Sequence, residues 1–269
     1  MPRAQRPSHG PTIKDVARKI GLSYATVSRA LNDKYGVKAT TRERVMRAAR
    51  EMNYHPNAIA RGLITRRTKT IGIVIPDLRN PFFPEVAAGI ETAAEELGYS
   101  ILLGSSDWSG QREDRYLELL VERRVDGLIL APVSRSAARY PKVLPPDVPA
   151  VYVTSVPEDV TTGYVVINNE RGGYLATSHL ISRGYLPVGF LGAQNGSDTG
   201  TERRRGYRAA LEEAGHEYDP GLVMLGAFTG ESAAALVREA IEGDRLPRAI
   251  FCENDVLAIS AIQTLLDAG

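Results

Sequence analysis

Apolar residues recur along this chain at two different periods, and the change from one to the other divides it. In TIKDVARKIGLSYATVSRALN, Thr12 to Asn32, residues Ile13, Val16, Ala17 and Ile20 fall at i, i+3, i+4 and i+7. That is the stripe of an amphipathic helix. Gly21 is placed to end it, since glycine takes positive φ without steric penalty. Ser23 is placed to cap a second helix by accepting from a free backbone N–H of its first turn. There Val27, Ala30 and Leu31 repeat the stripe, while Tyr24, Ala25, Ser28 and Arg29 form the opposite face. TRERVMRAAREMNY predicts a third helix. Its Val45, Ala48, Ala49 and Met52 would complete a three-helix core, with Arg42, Arg44, Arg47 and Arg50 on the outside. One face packed inward and short polar groups plus an arginine turned outward is the division needed by a helix-turn-helix entering a major groove. Helical hairpins with a glycine turn also occur as plain packing, so the pattern alone leaves both readings open.

Residues 55–70, HPNAIARGLITRRTKT, could form a short helix from Pro56 and Asn57 through Leu63. Two turns that include Gly62 will not hold alone in water, because nucleation is costly and glycine loses roughly 1 kcal/mol against alanine. The segment therefore reads as a linker that folds when supported. From Thr70 the period becomes that of buried strands alternating with helices. TIGIVIP, YSILLGS, DGLILAP, VPAVYVT, GYVVIN, PVGFLG, LVMLG and RAIFC are the strands. The helices are PEVAAGIETAAEEL, QREDRYLELLVERR, a segment near Glu170–Ser182, TERRRGYRAALEEAG, ESAAALVREAIE and DVLAISAIQTLLDAG. Repeated strand–helix units with apolar strands mean parallel sheets covered by helices on both faces. There are enough units for two such sheets, and ligands in this architecture bind beyond the carboxyl ends of the strands.

Charge sharpens the division. Residues 1–69 hold 16 Lys and Arg against 4 Asp and Glu (Asp15, Asp33, Glu43, Glu51), leaving 17 against 28 for the rest. A whole-chain net charge of +1 thus conceals +12 on the helical segment and −11 on the remainder. Positive charge carried on patterned helices points to a nucleic-acid-binding head on an acidic body. Residues 1–11 read as a flexible arm without the apolar core of a secretory signal. No apolar run is long enough to span a bilayer. The single cysteine, Cys252, reads as a buried reduced thiol, which implies a cytoplasmic protein. There is no GxSxG, Walker loop or GxGxxG after a strand, and His9, His55, His179 and His216 have no metal-ligand spacing. Neither enzyme chemistry, a cofactor nor a metal is expected. An exported binding protein would need a signal and no basic head, the reverse of what is present.

Together TIKDVARKIGLSYATVSRALN, MNYHPNAIARGL, TIGIVIPDLRNPFF, RRVDGLILAP, RRGYRAALEEAG and CENDVLA resemble, in order and spacing, the LacI/GalR family of bacterial transcriptional repressors from Thr12 onward. The resemblance implies an all-α helix-turn-helix head (12–55), a hinge helix or linker (56–69) and an α/β effector domain of the periplasmic-binding-protein type. Its two Rossmann-like lobes would be about 70–165 and 166–269. It also implies a homodimer on a pseudo-palindromic double-stranded operator, associated with the nucleoid and controlled by a small-molecule effector, a sugar or related metabolite. Position by position, Tyr24, Ala25 and Arg29 would read bases. Ser23, Thr26, Ser28, Asn32, Tyr54 and Asn57 would hold phosphates or the hinge, and Leu63 would wedge into the minor groove. Phe82, Phe83, Thr154, Arg203, Phe228 and Asn254 would line the effector pocket. Aromatic faces there suit a polar ligand with apolar faces, and a guanidinium and a carboxamide suit hydroxyl or carboxylate groups.

Four departures qualify the resemblance. Ala25 replaces a longer base-reading side chain, and Lys38 stands where Ser or Thr usually caps the third helix. Thr154 stands where an acidic ligand contact is common, against a typical hexose pocket. Asp255, beside Asn254, is read as the cap of the last helix, and Arg204 and Arg205 as surface. Family members continue several dozen residues past Gly269, so the chain is expected to be truncated at its C-terminus. That leaves the alternative of a DNA-binding head with a non-functional effector domain.

Overall fold

A computed structural model describes residues 10–32, 35–55, 67–133, 140–158, 162–194 and 198–269. They form two compact units, one ending at Thr68 and one beginning at Lys69. The first holds α1 (Ile13–Ile20), α2 (Tyr24–Leu31) and α3 (Ala39–Glu51). Thr12 and Asp15 cap α1 reciprocally, side chain to backbone in both directions, satisfying two free donors at once. Gly21 ends the helix at φ 66°, and the Ser23 hydroxyl accepts from Thr26 N–H at 3.1 Å to start α2. Val16, Val27 and Val45, one from each helix, are fully buried at the centre of the core. Lys38 precedes α3 without a side-chain cap. Arg44, Arg47 and Arg50 are exposed as expected; Arg42 is instead half-buried, because its turn of α3 packs inward.

The second unit contains two parallel sheets. Strands β1 (Thr70–Ile75), β2 (Ser100–Ser105), β3 (Gly127–Leu130), β4 (Ala150–Val153) and β5 (Tyr164–Val165) run in the order β2-β1-β3-β4-β5. Helices α4 (Phe82–Glu96), α5 (Gly110–Glu122) and the short α6 (Tyr140–Val143, not anticipated from sequence) connect them. Side chains alternate across β1. Val74 packs with Leu117 and Leu120 of α5, and Ile73 and Ile75 pack with Phe83 of α4. After α7 (Asn169–Ser182), strands β6 (Val188–Ala193), β7 (Val223–Gly226) and β8 (Ala249–Cys252) form the second sheet, ordered β7-β6-β8. Helices α8 (Asp198–Glu213), α9 (Gly230–Glu242) and α10 (Asp255–Ala268) complete this lobe. Leu191 faces Val237 and Leu257, while Val188 and Phe190 face Tyr207 on α8. The Tyr207 hydroxyl donates to Val188 O at 2.8 Å, and burial pushes its phenol up to about 12.

Three boundaries differ from expectation. GYVVIN forms strand only at Tyr164 and Val165, held by Tyr152 N–H to Gly163 O and Thr154 N–H to Val165 O, both at 3.1 Å, because β4 ends at Val153 and the chain turns at Thr154. Helix α8 begins at Asp198, ahead of Thr201. Asn254, not Asp255, caps α10: its Oδ1 accepts from Leu257 N–H at 2.9 Å, and Asp255 is the first helical residue. Among the described residues no helix is long and apolar enough to cross a membrane.

Candidate nucleic-acid interface and ligand cleft

On α2 the apolar stripe and the polar face separate cleanly. Val27 and Ala30 are buried, while Ser23, Tyr24, Ala25, Arg29 and Asn32 are exposed and Thr26 and Ser28 half-buried. Arg29 presents a planar fork of donors able to pair with guanine O6 and N7, whereas the Ala25 methyl offers only an apolar contact. Some candidate phosphate-holding groups already have local work. The Thr26 and Ser23 hydroxyls lie 2.9 Å apart, and Asn32 Nδ2 donates to Ser28 O at 2.8 Å at the end of α2. Tyr54 is half-buried against the core. Burial, and after it the neighbouring Tyr24, raise its phenol above the ordinary value. Asn57 and Leu63 lie outside the described residues.

In the second unit all six sequence-predicted pocket residues line one cavity of about 830 Å³ between the lobes. Five of them converge because they lie at or near the carboxyl end of a strand. Phe82 and Phe83 follow β1 and open α4, Thr154 follows β4, Phe228 follows β7 and Asn254 follows β8. Arg203 reaches in from α8 and is held from two sides. Its Nε donates to Asn169 Oδ1 at 3.0 Å and its Nη1 to Glu253 O at 2.6 Å. Helices α7 and α8 come close enough for this because Gly173 and Gly206 face backbone. A Cβ on Gly173 would collide with Arg203 O, and one on Gly206 with Glu170 O. Asn254 spends its oxygen on the helix cap, leaving its buried Nδ2 with no partner among the described residues. A buried donor without an acceptor is costly, so the cleft favours an occupant that supplies hydrogen-bond acceptors.

The backbone around the cleft is strained. Asn53, Arg124 and Asp244 have positive φ just past helix ends, a normal place for it. Lys69, at φ 54°, precedes β1; of the remaining three, Trp108 and Thr154, at 57° and 68°, line the cleft, and Asp107, at 53°, adjoins Trp108. Thr154 sits at the centre of a turn closed by Ser155 N–H to Val153 O at 2.8 Å, the γ-turn with positive φ that is rare and strained. For a β-branched residue this geometry costs roughly 1–3 kcal/mol. Asp107 and Trp108 occupy the middle of the turn Ser106–Ser109, closed at 3.0 Å.

Sequence reasoning missed Trp108, Asn169 and Glu253, which also line the cavity. The signal for Trp108 was present: a lone tryptophan in the polar run SSDWSG, just past an apolar strand. Glu253 is 3% exposed. Its Oε2 accepts from Ala193 N–H at 2.8 Å, while Oε1 has no partner among the described residues. Burial pushes this carboxyl above its ordinary value, partly opposed by the Ala193 bond and by Arg203 and Arg204. Cys252 is half-buried rather than fully enclosed. Even so, burial pushes its thiol up to about 11, leaving it a poor nucleophile at neutral pH.

Comparison with known proteins follows the same division. Residues 12–57 match the family described as bacterial regulatory proteins, lacI family. Residues 68–269 match periplasmic binding proteins and sugar binding domain of LacI family. The chain is 36% identical over 260 residues to the HTH-type transcriptional repressor PurR of Photobacterium profundum, covering 96% of this chain and 78% of that protein. Among solved structures it is similar to a transcriptional regulator CelR–cellobiose complex, at 33% identity and a TM-score of 0.66, covering 96% and 79% of the two chains. It is also similar to the lac repressor dimer bound to operator and the anti-inducer ONPF, at 26% identity and a TM-score of 0.84, covering 97% and 79%.

Proposed function

The chain belongs to the LacI family and is a sequence-specific DNA-binding transcriptional regulator, not an enzyme; on that premise we propose that it is a repressor whose hold on its operator is set by a small molecule in the inter-lobe cleft. The observation that carries the effector half is the convergence of Phe82, Phe83, Thr154, Arg203, Phe228 and Asn254 on one cavity containing an unpartnered buried donor. In this reading residues 12–55 bind DNA, 56–69 form the hinge, and lobes of about 70–165 and 166–269 hold the effector. Tyr24, Ala25 and Arg29 read base edges. Ser23, Thr26, Ser28, Asn32, Tyr54 and Asn57 fix the register on phosphate or support the hinge, and Leu63 is the minor-groove wedge. One head covers too little DNA for a specific site, so two chains act as a dimer on a pseudo-palindrome. A protein that works on DNA works in the cytoplasm, and we place this one with the nucleoid.

Two relatives support the effector class. One is complexed with cellobiose and another with ONPF; here the aromatic walls and hydrogen-bond donors suit a sugar or related metabolite rich in acceptors. The test is to select a site from random duplex DNA with the full chain, then melt the protein with sugars, sugar phosphates and nucleobases. The selected site should be pseudo-palindromic, with a log–log salt slope of roughly −0.9 per phosphate neutralised. One compound class should raise the melt, by about 2.7 kcal/mol at a hundredfold excess over its dissociation constant. Failure to select any site overturns the DNA half. A melt unmoved by every compound, with DNA binding intact, overturns the effector half.

A further inference from the structure

The Trp108 ring, from the turn after β2 in the first lobe, lies against Phe228, from the turn after β7 in the second. Their centroids are 4.9 Å apart and their planes 15° from parallel. Phe83 meets Trp108 edge-on at 6.1 Å and Phe82 meets Phe83 at 5.2 Å, so four rings run unbroken from one lobe to the other. We propose that the Asp107–Trp108 turn is an inter-lobe latch, in which Trp108 stacked on Phe228 holds the lobes together over the cleft.

Two features show that the turn is built for this. Both central residues have positive φ, a conformation that suits glycine, asparagine or aspartate and disfavours a tryptophan. The strain is held by a brace. Arg79 donates to Asp107 Oδ1 at 2.6 Å and to Asp77 Oδ1 at 2.9 Å, and Arg112 donates to Asp107 Oδ2 at 3.1 Å. Buried Ser106 and the Trp108 N–H tie the turn to Ile75 O and Pro76 O beneath it. Charge acts in the same direction as the rings. The Glu231 carboxyl opens α9 close to Phe228 and is held below its ordinary value. Its own N–H and Thr229 do most of this, and the first lobe's Arg79 adds to it across the gap. The latch rests on the ring stack and the braced turn, independently of any ligand. That its opening and closing govern effector retention rests on the cleft being the effector site.

The test needs no ligand. Cysteines at exposed Glu85 and Ala235 (Glu85→Cys, Ala235→Cys), one on each lobe, carry spin labels for distance measurement in the full chain, with Cys252→Ser removing the native thiol. Labelled but otherwise unaltered protein should show one dominant short distance. Phe228→Leu and Trp108→Leu should each lower that population relative to longer distances by roughly three- to tenfold, the equilibrium equivalent of one aromatic pair. The double variant should go no further than either single one, and Phe228→Tyr should restore the short distance. Acrylamide quenching of Trp108, the only tryptophan in the chain, should rise at least twofold in Phe228→Leu. Should a position-228 variant fail to melt cooperatively, Arg79→Gln weakens the brace from outside the core and should move both readouts the same way. Distances and quenching unchanged in folded variants overturn the latch. Neither outcome depends on whether any compound shifts the melt, so loss of the latch and loss of the effector reading are separable.

Discussion

The helical head and the two-lobed unit solve opposite problems. The head gathers a small core around Val16, Val27 and Val45 from residues within about thirty positions of one another, and places its candidate chemistry on the outside of one helix. The two-lobed unit covers both faces of two sheets and places its candidate chemistry inside, on turns from strands more than a hundred and fifty residues apart in sequence. A face that reads DNA needs side chains that stand clear of the fold. A cleft that holds a small molecule needs side chains the fold brings together. Sequence periodicity exposes the first kind of site directly and the second only through topology.

The comparison can be broken by mutation. The largest effect is expected from Leu117→Ala, which empties a fully buried position against β1. It should cost about 3 kcal/mol and lower the melt of the two-lobed unit. DNA binding by the head should survive at temperatures where both forms are folded, and its loss there would show that the units do not function separately. Next is Arg203→Ala, which removes a guanidinium held by Asn169 and Glu253. It should weaken the effector found by melting roughly thirtyfold, about 2 kcal/mol. Affinity for the selected DNA without effector should stay within about threefold. Arg29→Ala should do the reverse. An exposed side chain is lost, so the melt should not move, while affinity for the selected site falls roughly tenfold and random DNA is affected less. Equal losses on both DNAs would make Arg29 a phosphate contact instead.

The smallest effect sharpens the picture of the cleft floor. Burial raises the Glu253 carboxyl above its ordinary value of 4.5. Stability from that group is therefore fully present below about 4.5 and is lost as pH rises through the raised folded value. Glu253→Gln has no such loss. Melts of the variant relative to the unaltered protein should become more favourable from pH 5 to pH 8. A pH-independent difference would mean the carboxyl gains enough from Ala193 and Arg203 to offset its burial.

Much of this was legible beforehand, for identifiable reasons. Gly21 and Ser23 act locally, so their turn and cap could be read from neighbouring residues alone. The strands of both sheets announced themselves as short apolar runs. Two errors fell where a distant partner decided the outcome, and a third was a local shift of one position. GYVVIN lost most of its strand because β4 runs out at Val153, and Arg42 turned inward with its part of α3. Asp255 lost the cap to Asn254, whose carboxamide oxygen reaches Leu257 N–H. Six pocket residues were found through a family resemblance rather than through periodicity, and the resemblance did not single out Trp108.

The sequence by itself determined the division of the chain, the element types and the exposed face of α2, because each follows from spacing along a helix or strand and from charge counted along the chain. Only the tertiary structure decided the cleft. Whether Glu253 ends buried against Ala193 and which of Arg203's nitrogens are occupied depend on how the helices of the second lobe pack on its sheet, and whether Trp108 meets Phe228 depends on how the two lobes approach. Those distances arise from packing among residues far apart in sequence, and no local pattern encodes them.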